Sequence, residues 1–211
     1  RDSHIGGILR WFEQDADAKG LVKKVWFNSG RLIFEYFRQK EIEENLLKIK
    51  NTSCSNTSIA QGVAFEDFIE NNNIWDRRII KSGDEFNISG LRFTILSPSK
   101  DKLQSLLCKW VKEYPVSDTS RTSDYSLSLS DLINSDSFKE DDSIHNGSSI
   151  AFVVEKQGKN VLFLSDAHPQ TIIDSLVSLG YSPENPLKVD FVKLSHHGSK
   201  SNTCIELLNL I

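Results

Sequence analysis

Methionine is absent from the 211 residues, and cysteine, proline and histidine are scarce, with three, five and five copies. No apolar run approaches the roughly 20 residues that a membrane helix needs, and no signal peptide is visible, so we expect no membrane segment. The cysteines are far apart and odd in number, which favours free thiols in the cytoplasm over disulfides. Because methionine is missing and the chain begins at Arg1, we expect the natural N-terminus to lie upstream.

An excess of basic residues is also lacking. The formal net charge is −4, so nothing in the composition indicates a nucleic-acid-binding surface. A local basic groove can nevertheless exist on a protein whose net charge is acidic. Hydrophobic residues make up 38% and charged residues 26%, which is typical of a soluble globular chain. We predict one domain over residues 1–211, interrupted by a mobile Ser- and Asp-rich insertion at about 117–143.

Apolar periodicity predicts alternating helices and strands, and therefore an α/β layered fold. The predicted helices cover 5–16, 31–49, 58–71, 100–114 and 169–179. The predicted strands cover 22–27, two strands around a turn at Ser89–Gly90, a hairpin of 150–155 and 161–164 around Gln157–Gly158, and 188–194.

The histidines stand next to strand ends or helix starts rather than inside the predicted elements. Such positions gather on one edge of an α/β domain, where sites are commonly built. Imidazole nitrogen and carboxylate oxygen are zinc ligands, so this edge is a candidate zinc site. Taken alone, His168 is more readily explained as a solvated loop side chain than as a ligand, and Asp166 is equally well explained as a cap for the following helix.

Four segments in chain order resemble the metallo-β-lactamase-fold hydrolase superfamily. They are DSHIGGIL (2–9), IKSGDEFNISGLRFTILSPS (80–99), NGSSIAFVVEKQGKNVLFLSDAHP (146–169) and VDFVKLSHHGSKSN (189–202). The combination is similar to the branch that includes the hydrolase domain of DNA-uptake competence proteins. The resemblance implies a four-layer αββα sandwich with a zinc site on one edge, holding two ions or, as the alternative, one.

The resemblance also implies roles for individual residues. His4 and His196 would bind metal, Asp166 would bridge the two ions, and His145 is a further candidate ligand. Asp166 would also be catalytic. The remaining implied residues are Asp2 and His197 as catalytic residues, and Asn146 as a contact to substrate. Ser199 and Lys200 follow the histidines closely, so their position and the charge of the lysine predict further contacts to an anionic substrate.

The first motif departs from the family pattern, since Ser3 stands where the family has aspartate and Asp2 is one position early. The resemblance implies a zinc-dependent hydrolase that uses a metal-activated hydroxide on a phosphodiester or another anionic ester. Its substrate would be a small molecule, a nucleotide or a nucleic acid. The alternative is a non-catalytic or one-metal member of the fold that acts in binding or regulation.

Overall fold

A computed structural model of the chain describes residues 4–37, 58–112 and 139–211. Contacts divide the chain into two compact units. The first consists of Arg1–Lys81 and Lys100–Pro115, and the second of Ser82–Ser99 and Val116–Ile211. The prediction of a single domain over 1–211 stays a prediction, and residues 117–138 of the predicted insertion lie outside the described residues.

The described part of the first unit is helical. Its helices are α1 (His4–Gln14), α2 (Ala18–Leu21), α3 (Gly30–Phe37), α4 (Ser58–Asn71) and α5 (Lys100–Lys112). Packed aromatic rings contribute to its core, with the Phe12 and Phe68 ring centroids 4.6 Å apart. The buried Asn28 side chain donates to the carbonyl of Ile80 at 2.7 Å and accepts from its N–H at 2.9 Å. This pair satisfies backbone groups that would otherwise be buried without partners.

The second unit is built on a five-stranded mixed sheet in the order β1-β2-β3-β4-β5. The strands are β1 (Glu85–Ile88), β2 (Leu91–Ser97), β3 (Ala151–Lys156), β4 (Lys159–Phe163) and β5 (Phe191–Lys193). The first four pair antiparallel, and β5 pairs parallel to β4 with Val161 opposite Phe191. The α/β class is therefore confirmed.

Two-residue turns close both hairpins of the sheet. Ser89 and Gly90 have φ of 53° and 77°, and Gln157 and Gly158 have φ of 52° and 73°. Positive φ at both central residues is the signature of the tight hairpin turn whose twist matches the strands. Both turns were predicted at these positions.

The helices of the second unit are α6 (Ile144–Gly147), α7 (Pro169–Ser178) and α8 (Ile205–Leu208), and 3₁₀ turns cover Ser195–Gly198 and Lys200–Asn202. Helix α7 packs on β2. A buried apolar cluster fills this unit, including Leu96, Leu162, Ile172 and Leu176. In the described ranges, every helix is too short or too polar to cross a membrane.

The predicted strand over 22–27 is wrong. Only Val25 pairs, through an isolated bridge to Trp75, and the neighbouring Lys24 has a solvent-exposed side chain that pairs with Asp76. The apolar residues of this segment therefore pack in a loop rather than in a sheet. The strand predicted over 188–194 shortens to β5, and the helix predicted over 31–49 is described only to Phe37, beyond which it lies outside the described residues.

Candidate functional site

The parallel pairing of β4 with β5 sets the position of the two best candidate residues. Carboxyl ends of parallel neighbours meet at one edge of a sheet, and Asp166 follows β4 while His196 follows β5. The two loops are joined directly, since the N–H of His196 donates to the carbonyl of Ser165 at 2.8 Å. Sequence reasoning predicted this shared edge.

The backbone of the His-His-Gly segment is left-handed over three consecutive residues. The φ angles are 43° at His196, 57° at His197 and 80° at Gly198. Left-handed backbone is costly for residues other than glycine and persists only where the surroundings hold it. The preceding Ser195 is one such restraint, because it is buried and its hydroxyl donates to the carbonyl of Ala167 at 2.9 Å.

A buried carboxylate, Asp141, lies at the centre of the hydrogen bonds beneath this segment. Its Oδ1 accepts from the N–H of Ser143 at 2.9 Å. Its Oδ2 accepts from the side-chain amides of Asn146 at 2.6 Å and Asn202 at 3.1 Å. Burial alone would raise the pKa of Asp141, but these donors, together with the nearby His168, hold that pKa below its usual value.

One ring nitrogen of His196 lies close to the side chains of Asn202 and Asp141. Its Nδ1 lies 3.2 Å from Oδ1 of Asn202 and 3.6 Å from Oδ2 of Asp141. The side chain of His196 is 33% exposed, whereas that of Asp141 is 2% exposed. The imidazole therefore spans from a buried polar cluster to solvent.

His168 belongs to the same region but is buried, with 4% of its surface exposed. Its Nε2 lies 3.0 Å from the carbonyl oxygen of Ser143, and a carbonyl only accepts, so Nε2 carries a proton. The interpretation of His168 as a solvated loop side chain is wrong, since the residue packs closely against Gly147.

The remaining predicted residues are distributed as follows. Asp2 lies outside the described residues, as does the side chain of His4, the first residue of α1. His145 is half-buried and lies in α6 rather than directly before a strand. His197 is exposed, and its ring centroid is 6.1 Å from that of His196.

The predicted substrate contacts have structural partners of their own. Asn146 donates to Asp141, and the hydroxyl of Ser199 accepts from the N–H of Ser201 at 3.3 Å. Lys200 is exposed to solvent. Their contacts to substrate stay predictions.

A zinc site needs several donor side chains around one ion. A structural zinc has four protein ligands and a catalytic zinc usually three. Over 4–37, 58–112 and 139–211, no group of three or more His, Cys, Asp or Glu side chains is arranged to hold one ion. Asp166 and His196 have the right donor chemistry, but a complete zinc site would need further ligands.

Sequence reasoning missed two members of the cluster, Asp141 and Asn202. Asp141 falls in the stretch whose Ser- and Asp-rich composition suggested a mobile insertion, yet it is buried. The local sequence did contain a signal for Asp141. Aspartate side chains commonly accept from the backbone N–H two residues later, here that of Ser143, and this bond is typical of an ordered turn. The partner Asn202, 61 positions away, gives no such signal.

Comparison of the chain with protein-family models, with curated proteins and with solved structures finds no match.

Proposed function

We propose that this chain is a zinc-dependent hydrolase of the metallo-β-lactamase type, in which Asp166 and His196 contribute ligands at one edge of a four-layer αββα sandwich. The observation that carries the proposal is the pairing of β4 with β5, which brings an acidic loop and a strained double-histidine loop to the same edge. Strained backbone of this kind concentrates at active sites and ligand clamps. The proposal extends the sequence resemblance, and the mixed sheet with α7 packed on β2 is compatible with it.

Bound zinc would lower the pKa of its water to about 7 and so supply hydroxide at neutral pH. The chain's own residues would hold that reaction in place. Asp166 would supply carboxylate oxygen and His196 imidazole nitrogen, and further ligands would come from side chains outside the described part. His197 and Lys200, both exposed beside His196, would face an anionic substrate, for which lysine acts as a point-charge partner.

The substrate proposed is a phosphodiester or another anionic ester, of a small molecule, a nucleotide or a nucleic acid. This choice rests on the resemblance to the competence-protein branch, and the exposed Lys200 is compatible with it. We also propose a cytoplasmic location, because Cys108 and Cys204 are unpaired thiols.

The second candidate is a non-catalytic or one-metal member of the fold. The observation that favours it is Ser3, which stands at the family's aspartate position and would leave the first motif one ligand short.

Metal content and activity of the full-length protein separate the candidates. We expect about two zinc ions per chain after purification with zinc, measured by elemental analysis, and cleavage of a bis-aryl phosphodiester. About one ion per chain with residual cleavage supports the one-metal form. Zinc-free, inactive protein, even after zinc is supplied, would exclude the hydrolase.

A pair of matched variants tests Asp166. Asp166→Asn removes the proposed ligand charge and should lower both zinc content and cleavage. Asp174→Asn makes the same change on the exposed face of α7 and should leave both unchanged. Equal behaviour of the two variants would remove Asp166 from the site.

A further inference from the structure

The surroundings of Asn202 fix which way its side-chain amide points. Asn202 is fully buried, and its Nδ2 faces the Asp141 carboxylate at 3.1 Å and the backbone carbonyls of Asp166 at 3.4 Å and Ala167 at 3.5 Å. All three partners are acceptors. A reversed amide would turn its own oxygen toward a carboxylate and two carbonyls, so the NH₂ group must occupy this side.

The orientation of that amide determines the proton on His196. With the NH₂ group directed at the three acceptors, Oδ1 of Asn202 is the atom that faces Nδ1 of His196 at 3.2 Å. An amide oxygen only accepts, so Nδ1 must carry a proton. In a neutral imidazole the lone pair then lies on Nε2.

Asp141 holds Asn202 in this orientation independently of His196. The carboxylate is itself fixed by the Ser143 N–H and the Asn146 amide, both within 3 Å. Its Oδ2 is 3.6 Å from His196 Nδ1, which is beyond hydrogen-bonding distance but close enough to favour a proton there. Asp141 therefore orients the side-chain amide of Asn202, and that amide in turn determines which nitrogen of His196 carries the proton.

We propose that Asp141 and Asn202 are positioning residues that hold His196 as the Nδ1–H tautomer and leave Nε2 as the electron-pair donor. The role of Nε2 in metal binding rests on the proposed function, in which Nε2 is the zinc ligand. The Nδ1–H tautomer does not depend on that function, because it follows from hydrogen bonds within the chain itself. Ligating histidines commonly donate their second ring N–H to such a partner, which fixes ring and tautomer together.

Nuclear magnetic resonance of the full-length, metal-free protein with isotope-labelled histidine at neutral pH tests the tautomer. Long-range proton–nitrogen correlations report which ring nitrogen is protonated, and His196→Gln identifies the signal by removing it. We expect His196 to carry its proton on Nδ1. His168, whose Nε2 faces the Ser143 carbonyl, is the internal reference for a protonated Nε2. A neutral His196 ring with its proton on Nε2 would overturn the proposal.

Two variants then test the positioning residues. Asp141→Asn and Asn202→Leu should each allow the Nε2–H tautomer of His196 to appear and, if zinc binds, lower zinc affinity by about 10- to 100-fold. Asn209→Leu, an exposed substitution in the same terminal segment, should change neither. A variant that folds and keeps a pure Nδ1–H tautomer would refute its residue's role. If either variant fails to fold, the wild-type tautomer still decides the proposal. If the tautomer is as expected and zinc does not bind, the proposed function fails and this inference stands.

Discussion

Replacing Gly147 by alanine tests the packing beneath the site without any assumption about function. A Cβ at Gly147 would lie 2.8 Å from Cε1, 3.0 Å from Nδ1 and 3.1 Å from Nε2 of His168. Carbon atoms in contact prefer about 3.5 to 4.0 Å, so the ring must move. It has little room, since His168 is buried and its Nε2 is bonded to Ser143.

The expected cost follows from these contacts. Overpacking a well-filled site costs about 1–3 kcal/mol, and weakening the His168 hydrogen bond adds about 0.5–1.5 kcal/mol, so we expect the free energy of unfolding to fall by about 1.5–4.5 kcal/mol. Each kcal/mol lowers the Tm of a chain of this size by about 2–4 °C, so Tm should fall by at least about 3 °C. The φ of Gly147 is not left-handed, so the contact rather than backbone strain is the cause.

Urea unfolding and thermal melting of Gly147→Ala beside Gly7→Ala measure the effect. Gly7 lies in α1 with nothing within 4 Å of its Cβ position, so alanine there should stabilise by about 0.5–1 kcal/mol. Opposite signs for the two variants are the expected result. A Gly147→Ala protein within about 0.5 kcal/mol of wild type would refute the close packing of His168 on α6.

Two other predictions concern buried polar groups in the second unit. The pKa of Asp141 is lowered in the folded chain, so the carboxylate contributes stability above its ordinary pKa of about 3.9 and loses it as the pH falls through and below that value. The stability difference between wild type and Asp141→Asn, measured by urea unfolding, should therefore be about 1–3 kcal/mol at pH 7 and narrow below about pH 4; a constant difference would contradict the charge argument. Ser175→Ala should lower the free energy of unfolding by about 1–3 kcal/mol, because the Ser175 hydroxyl donates to the buried Leu96 carbonyl at 2.5 Å. The control Ser178→Ala, on the exposed face of the same helix, should change it by less than about 0.5 kcal/mol. Equal losses of unfolding free energy for the two variants in the same assay would refute the stabilising role of the Ser175–Leu96 hydrogen bond.

Local patterns were sufficient to predict the hairpins and most helices. The turn residues Ser89–Gly90 and Gln157–Gly158 specify their own backbone conformation, and helix 58–71 was predicted with the bounds of α4. The strand prediction for 22–27 was wrong for a physical reason. Apolar residues that satisfy a strand pattern pack equally well in a loop, and in this segment only Val25 has a backbone pairing partner.

The site was predictable only where it follows from strand order. Asp166 and His196 each end an apolar run, so a shared edge was expected. The Asp141 cluster depends on partners far apart in the chain, which composition does not reveal. Even a strongly polar stretch can contribute one buried carboxylate when donors from several loops surround it.

A crystal structure of the full-length protein with zinc, with the ion located by its anomalous scattering, is the sharpest test of zinc binding by Asp166 and His196. We predict zinc within about 2.0–2.2 Å of Nε2 of His196 and of a carboxylate oxygen of Asp166, with Nδ1 of His196 still bonded to Asn202. Zinc bound through Nδ1, zinc bound away from both residues, or a crystal grown with zinc that holds none at this edge would contradict the proposed ligand roles of Asp166 and of Nε2 of His196.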